Sequence, residues 1–262
     1  MSLADSYDGF LIDLDGVVWL GHQLIPGAAE TVSALAASGK RFAFVTNSPR
    51  LSPARQANLL RDAGVPARDE QLITAGLTLI RLALDRLRTG AAVLDTGTPS
   101  FRDQVKSAGF ELLEPAEWQR AEAVLLTGHD RFDYAELKAT AMAARKGILF
   151  AATGRDPTMP MPDGLWPGTG SILAAVETAA GRTATITGKP EAAIFQAGLD
   201  ALELPPEAKV AMVGDRLDTD VEGAQRAGFD GILVAGNDSS PAAGTGEITP
   251  QHRIDTLAGL LD

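Results

Sequence analysis

Near the amino terminus, an apolar run with the character of a buried strand ends on two acidic side chains. The run spans residues 9–14, and Asp13 and Asp15 stand one residue apart at its carboxyl end, followed by Gly16. Alternate side chains of a strand point to the same face, so both carboxylates are expected on one side. Gly16 allows the backbone to turn tightly after them. In open α/β sheets this end of a strand is where ligands bind, although Asp-Gly is also a common pair in ordinary turns.

The rest of the chain repeats an alternation of buried strands and helices, which is typical of a parallel sheet with crossover helices. The predicted strands are 9–14, 41–45, 91–94, 121–126, 147–151, 209–213 and 231–234, and helices are predicted at 99–108, 133–145 and 171–180. Two stretches rich in Pro, Gly, Ser or Thr, 154–170 and 236–250, are predicted as loops. The pattern therefore favours the α/β class.

Composition excludes some classes of function. The chain has 262 residues, no cysteine and a formal net charge of −11, so disulfides and thiol catalysis are excluded. The negative charge argues against binding to nucleic acids or anionic membranes, but a metal ion could still attract a small phosphorylated substrate. The sequence has no apolar run of membrane-spanning length and no recognisable signal peptide, so we expect no membrane association and a cytoplasmic setting.

Three predicted strands end on polar clusters. These are Asp13 with Asp15, Thr46 with Asn47, and Asp215 with Asp220. The carboxyl ends of parallel strands lie along one edge of a sheet, so we expect the three clusters to converge. Convergence of three such clusters is harder to explain by chance than any one acidic turn.

The residue types in these clusters fit phosphoryl transfer. Carboxylates and a backbone oxygen suit Mg²⁺, a hard cation that takes oxygen ligands. A carboxylate can attack phosphorus and form an aspartyl phosphate, and a second acid can protonate the leaving oxygen and later deprotonate water. A Thr hydroxyl, turn amides and a Lys can hold the phosphoryl oxygens.

With these motifs in order, the sequence resembles the haloacid dehalogenase-like phosphatases, in the branch called NagD-like or p-nitrophenylphosphatase-like. The four motifs of the family match residues 13–16, 46–48, 188–190 and 214–220. That branch carries a large α/β cap between its second and third motifs, and residues 168–170 match its return from cap to core. The resemblance therefore implies a Rossmann-like parallel-sheet core, residues 1–75 and 181–262, with an inserted α/β cap domain, residues 76–180.

The resemblance also implies roles for individual residues. Asp13 would be the nucleophile and a metal ligand, and Asp15 would be the general acid/base and lend its carbonyl to the metal. The other implied roles are phosphoryl binding by Gly16, Thr46, Asn47, Ser48 and Lys189, metal binding by Asp215, and support of the site by Asp220.

The implied function is Mg²⁺-dependent hydrolysis of small phosphomonoesters, such as sugar phosphates, nucleotides or phosphoglycolate. A phosphotransferase that uses the same intermediate and a non-catalytic phosphometabolite-binding protein are the alternatives. Binding alone does not need both Asp13 and Asp15, which favours an enzyme. The substrate and the oligomeric state stay open, and a homodimer through the cap is compatible with the branch.

One segment departs from the pattern of the branch. Residues 153–156 read Thr-Gly-Arg-Asp where the branch often has Thr-Asn-x-Asp. Arg155 carries a planar, charged fork suited to a carboxylate or a second phosphate, so we expect it to bind substrate. The alternative is a solvated Arg in a connecting loop.

Overall fold

In a computed structural model of the protein, the described residues are 2–21, 23–161, 164–237 and 248–262. The chain divides into two compact units, each assembled from segments that are separate in the sequence. The first comprises Met1–Thr46, Pro53–Ile73 and Lys189–Asp262, and the second comprises Asn47–Ser52 and Thr74–Gly188. The domain boundaries expected at 75/76 and 180/181 stay a prediction. Within the described ranges, no helix is both long and apolar enough to cross a membrane.

Strands and helices alternate along most of the chain. The strands are β1 (Gly9–Ile12), β2 (Trp19–Leu20), β3 (Gln23–Leu24), β4 (Arg41–Thr46), β5 (Leu72–Thr74), β6 (Ala92–Asp95), β7 (Glu111–Leu113), β8 (Ala123–Leu126), β9 (Leu149–Ala152), β10 (Thr158–Met161), β11 (Gly164–Pro167), β12 (Thr185–Ile186), β13 (Val210–Gly214), β14 (Asp230–Val234) and β15 (His252–Ile254). The helices are α1 (Ala28–Ala37), α2 (Pro53–Asp62), α3 (Ala75–Arg86), α4 (Pro99–Ser107), α5 (Tyr134–Ala144), α6 (Thr169–Ala180), α7 (Ala192–Leu202) and α8 (Glu222–Arg226).

The first unit is built around a six-stranded sheet with the strand order β15-β14-β13-β1-β4-β5. β1 lies between β13 and β4 and is parallel to both, with Phe10 opposite Ala211 and Phe42. All four residues of β1 are buried, as expected for a parallel strand that is covered on both faces. On one face, Ile12 of β1 belongs to a hydrophobic cluster that includes Leu35 of α1. Because apolar packing occupies both faces, polar side chains are left to the strand ends.

The second unit contains a five-stranded sheet with the order β12-β9-β8-β6-β7, and every pair in it is parallel. Side-chain caps define where several of its helices begin. Thr74 accepts a hydrogen bond from the Leu77 amide at the start of α3, and Asp133 accepts one from the Glu136 amide at the start of α5. Such caps satisfy amides that have no partner within the helix. The α/β class expected from the sequence is confirmed in both units.

Some local predictions were wrong. The segment 154–170 is not all loop, because β10 and β11 form an antiparallel hairpin within it and α6 begins at Thr169 rather than Ser171. The predicted strands stop at 231–234, which corresponds to β14, but β15 follows it and pairs with it in parallel. β11 is exposed throughout, so burial imposes no apolar pattern on it, and β15 has only three residues. Of the predicted loop 236–250, residues 238–247 lie outside the described part of the chain.

Candidate active site

The turn that follows β1 carries both acidic side chains of the first motif. The Asp13 amide donates to the carbonyl of Val213 at 2.9 Å, so pairing with β13 continues one residue beyond β1. Asp13 is buried and Asp15 is half-buried. The indole nitrogen of Trp19 donates to the Asp15 carboxylate at 3.1 Å, while the Gly16 amide donates to the Trp19 carbonyl at 2.8 Å. Trp19 therefore orients Asp15 at the carboxyl edge of the sheet.

Gly16 brings this turn close to the loop that follows β13. Its φ is +88°, a left-handed conformation that favours glycine. A Cβ at this position would overlap the carboxylate of Asp215. Only a residue without a side chain therefore lets Asp215 approach the first motif so closely. A contact of Gly16 with substrate stays a prediction.

Three buried carboxylates meet at this edge of the first unit. Asp13, Asp215 and Asp220 are 6%, 4% and 0% exposed. One oxygen from each lies within 4.8 Å of the others. Asp215 follows β13 directly, and Asp220 lies in a short π-helical turn, Leu217–Val221. Two of the three strand-end clusters expected from the sequence thus come together.

Lys189 supplies the positive charge within this group. Its ammonium nitrogen lies 2.7 Å from Asp13 Oδ1 and 2.6 Å from Asp220 Oδ1, and it donates to the carbonyl of Val45 at 3.2 Å. The residue precedes α7 and is 3% exposed. A lysine can be buried this deeply because carboxylates pair with it.

The charges of these groups shift one another's pKa. Burial opposes the charged form of Lys189, but the adjacent carboxylates of Asp13 and Asp220 outweigh it and raise the pKa of Lys189. Burial raises the pKa of Asp13, as do the nearby carboxylates of Asp220 and Asp215, while Lys189 acts in the opposite direction. Lys189 is therefore a cation at neutral pH, and Asp13 gains from any further positive charge beside it.

The donor set fits a divalent cation. Three carboxylates face one ammonium, so the ionised cluster carries a net negative charge in a buried place, which is costly without compensation. Its oxygen ligands are those that Mg²⁺ and Ca²⁺ take. Asp220 is already engaged on both oxygens, by Lys189 and by the Arg216 amide at 3.1 Å. Asp13 and Asp215 are therefore the carboxylates with more capacity left for a cation, and the roles expected for all three residues stay predictions.

The residues of the second motif are divided between the units. Thr46 ends β4, the neighbour of β1, and is buried. Asn47 and Ser48 belong to the second unit and are half-buried. Within that unit, the Asn47 side-chain amide donates to the carboxylate of Asp156 at 3.1 Å. Phosphoryl binding by the second motif stays a prediction.

Arg155, the expected anion-binding residue of the second unit, makes a paired contact with Glu177 of α6. Both terminal nitrogens of its fork donate to the Glu177 carboxylate at 2.8 Å. The hydrogen bonds from Arg155 hold the pKa of the Glu177 carboxyl below its usual range, and Glu177 also accepts from the Ala184 amide at 2.7 Å. The geometry thus offers a third role for Arg155, in which it clamps the segment after β9 to helix α6. Its contact with substrate stays a prediction.

Sequence reasoning missed the partners of two residues that it had singled out. It did not pair Asn47 with Asp156, or Arg155 with Glu177. The first pair is separated by 109 positions and the second by 22, and no spacing rule links residues across such distances. Asp218, which lies between Asp215 and Asp220 in the fourth motif, pairs with Arg216 at 2.8 Å.

Comparison with known proteins connects this geometry to a family. One family model, described as haloacid dehalogenase-like hydrolase, matches residues 10–111, and a second, described as HAD-hydrolase-like, matches residues 186–260. Chronophin from Mus musculus is 36% identical over 269 residues, which cover 97% of this chain and 92% of chronophin.

Two enzymes of known structure extend the likeness to the fold. A glycerol phosphate phosphatase from Mycobacterium tuberculosis in complex with magnesium has a TM-score of 0.86 and 32% identity, covering 100% of this chain and 78% of its own. The same enzyme has also been solved with calcium. A 4-nitrophenylphosphatase from Thermotoga maritima has a TM-score of 0.87 and 30% identity, covering 99% of this chain and 98% of its own.

Proposed function

Because this chain belongs to the haloacid dehalogenase-like hydrolases and is a phosphatase of their p-nitrophenylphosphatase-like branch, we propose that it hydrolyses small phosphomonoesters through an aspartyl phosphate. The observation that carries this proposal is the buried contact of Asp13 with Lys189, beside Asp215 and Asp220. A nucleophile that must meet an anionic phosphoryl group needs positive charge next to it, and Lys189 supplies that charge.

In the first half of the reaction, a carboxylate oxygen of Asp13 attacks phosphorus, and the bond from phosphorus to the leaving oxygen breaks. Asp15 gives its proton to that oxygen, so the alcohol departs uncharged. Lys189 offsets the negative charge on the phosphoryl oxygens. The residues proposed to hold those oxygens are Gly16, Thr46, Asn47 and Ser48.

In the second half, the ionised Asp15 accepts a proton from water as its oxygen attacks phosphorus. The bond between phosphorus and Asp13 breaks, inorganic phosphate is released, and both acids return to their initial states. The hydrogen bond from Trp19 supports this role, because it holds Asp15 in one orientation through both proton transfers.

We further propose that the divalent cation is Mg²⁺, held by Asp13, Asp215 and the carbonyl of Asp15. When bound, it supplies positive charge to the phosphoryl oxygens. The net negative charge of the buried carboxylates supports this assignment. Asp220 would act through Lys189, which it holds beside Asp13.

The leaving group of the substrate is the least constrained part of the proposal. The motifs of the first unit account for a phosphoryl group and a metal, and contain no group to recognise the rest of a substrate. We therefore assign recognition of the leaving group to the second unit, as the inserted cap of the branch. Likeness to a glycerol phosphate phosphatase puts glycerol phosphate first among the substrates to test, with sugar phosphates, nucleotides and phosphoglycolate after it.

The test is hydrolysis of p-nitrophenyl phosphate and of this panel, with Mg²⁺ and with excess chelator, by the parent protein and by Asp13→Asn. We expect metal-dependent release of phosphate by the parent, and neither turnover nor a trapped phosphoenzyme with Asp13→Asn. An Asp13→Asn variant with parental turnover would remove Asp13 as the nucleophile. Transfer of phosphate to an added alcohol in preference to water would favour the phosphotransferase.

A further inference from the structure

The contact between Asn47 and Asp156 links the second motif to the segment that follows β9. We propose that Asp156 is a positioning residue for phosphoryl binding, whose carboxylate holds the Asn47 amide in the orientation that the phosphoryl group requires. This inference rests on the proposed function, because it assigns Asp156 to the same site. Asp156 would not contact the substrate and would act on it through Asn47.

Asn47 needs such a partner because the final torsion of an asparagine side chain has only a broad preference. Its amide can present either the NH₂ group or the oxygen to a neighbour, but a carboxylate can only accept hydrogen bonds. Asp156 therefore selects the NH₂ group, at 3.1 Å. The amide oxygen then faces Gly188, where a Cβ would stand only 2.5 Å from it. Asp156 on one side and a bare backbone on the other fix the amide.

Asp156 is itself held firmly within the second unit. Its carbonyl accepts a hydrogen bond from the Gly170 amide in α6 at 2.9 Å. The preceding residue, Arg155, is clamped to Glu177 of the same helix by two hydrogen bonds of 2.8 Å. The 12-residue helix α6 thus holds Asp156 in two ways. It bonds to the main-chain carbonyl of Asp156 and to the side chain of the preceding residue, Arg155. A carboxylate that is itself held in place can keep the Asn47 amide in one orientation.

The position of Asn47 in the chain indicates which kinetic constant should change when Asp156 is replaced. Asn47 directly follows Thr46, which ends the strand beside β1. A residue proposed to bind the phosphoryl group serves every phosphomonoester equally, whatever its leaving group. Loss of Asp156 should therefore weaken binding of all substrates, and of the product phosphate, by one common factor. That pattern is the loss of uniform binding, with KM raised and kcat little changed.

The experiment compares Asp156→Ala, Asp156→Asn, Asn47→Ala and the double variant with alanine at both positions. For each we would measure kcat and KM with p-nitrophenyl phosphate and glycerol phosphate, inhibition by inorganic phosphate, and Tm. Asp103→Ala is the matched control, because Asp103 is exposed on α4 in the same unit.

We expect Asp156→Ala to raise both KM values and the inhibition constant of phosphate together, by about two- to tenfold, as for loss of one hydrogen bond. Asp156→Asn should restore most of the loss, since its amide oxygen can still accept from Asn47. In the Asn47→Ala background, Asp156→Ala should have no further effect. The control should match the parent.

Unchanged KM and phosphate inhibition in a folded Asp156→Ala variant would overturn the inference, and so would effects that add fully in the double variant. If the parent hydrolyses no phosphomonoester, the proposed function fails separately. Calorimetric binding of inorganic phosphate in the presence of Mg²⁺ then decides the inference. Weaker binding by Asp156→Ala supports the positioning role, and equal binding removes it.

Discussion

The ammonium nitrogen of Lys189 lies 2.6 Å from a carboxylate oxygen of Asp220, and the two side chains are 3% and 0% exposed. Asp220 therefore holds Lys189 beside Asp13, which lies 2.7 Å from the same nitrogen. The pair places a permanent cation beside the proposed nucleophile without exposing either charge to water. Breaking a buried pair by removing one partner leaves a charge uncompensated, which is strongly destabilising.

Lys189→Met should therefore destabilise the fold by about 3–5 kcal/mol in the absence of metal. Mg²⁺ should recover part of this loss, because it offers another positive charge to the same carboxylates. Urea unfolding with chelator and with Mg²⁺ measures both effects, and the exposed Lys209→Met in the same unit is the control. If Lys189→Met and Lys209→Met lose the same free energy of unfolding, the buried carboxylates do not need the charge of Lys189.

The hydrogen bond from Trp19 to Asp15 predicts how the proton donor depends on its neighbour. Asp15→Asn should lower kcat/KM for an alkyl phosphate by about 10²–10⁴-fold, and much less for p-nitrophenyl phosphate, whose leaving group departs without a proton. Trp19→Phe keeps the aromatic packing but removes the donor, so it should show the same selectivity more weakly. Steady-state kinetics with both substrates test this prediction. Equal losses of kcat/KM on both substrates would mean that Asp15 does not protonate the leaving group.

The proposed metal ligands can be tested without turnover. Mg²⁺ should raise the Tm of the parent protein, because a ligand that binds only the folded state stabilises it. The Asp215→Asn variant should need at least about tenfold more Mg²⁺ for the same rise in Tm. Asp218→Asn is the matched control, since that carboxylate pairs with Arg216. If the two variants respond alike to Mg²⁺, Asp215 is not a ligand.

The contact between Arg155 and Glu177 separates two roles for Arg155. If the residue is a clamp, Arg155→Ala and Glu177→Gln should have the same small effect, up to about 1 kcal/mol of stability, with little discrimination among substrates. If it binds an anionic leaving group, only Arg155→Ala should raise KM for phosphoglycolate and spare p-nitrophenyl phosphate. The paired geometry predicts the first result, and KM values with both substrates decide between them.

Asp95 at the end of β6 predicts a pH dependence in the second unit. Burial raises the pKa of Asp95, although Arg102 acts in the opposite direction. The folded state therefore holds this proton more tightly than the unfolded state does. The resulting stability is complete below the usual pKa of an aspartic acid and is lost as pH rises through the raised pKa.

Asp95→Asn cannot titrate, and it can still accept the hydrogen bond that the Gly97 amide donates at 2.8 Å. Its Tm should therefore fall less than that of the parent as the pH rises above about 4, the usual pKa of an aspartic acid. Thermal unfolding of both proteins in chelator measures the difference, with Asp103→Asn as the exposed control. Parallel Tm profiles for Asp95→Asn and the parent would count against this explanation.

The sequence predicted the elements whose burial leaves a clear pattern. β1, β4 and β13 are apolar because both faces of the sheet are covered, and each is followed by polar residues. Their parallel arrangement then follows from the crossover helices. The convergence of Asp13 with Asp215 could therefore be anticipated from residues that are far apart in the chain.

The features that the sequence could not predict depend on which residues the fold brings together, and no local sequence pattern records this. Strand β11 is exposed along its whole length, so burial imposes no alternation on it. Arg155 has the same chemistry whether a helix or a substrate supplies its carboxylate, so only the position of Glu177 distinguishes the two. Asp156 likewise gains its proposed role from where the fold places Asn47.

The position of β1 in its sheet also determines when this protein can finish folding as it leaves the ribosome. β1 is made first, but one of its edges pairs with β13, and near that pairing the Lys209 amide bonds to Asp8 across 201 positions. Until that segment emerges, the edge of β1 has no β13 to pair with, a state that favours association with other chains. Asp13 likewise waits for Lys189. Nascent chains that stop short of β13 should therefore depend on chaperones, and activity should appear only after the residues up to Asp220 have emerged from the ribosome.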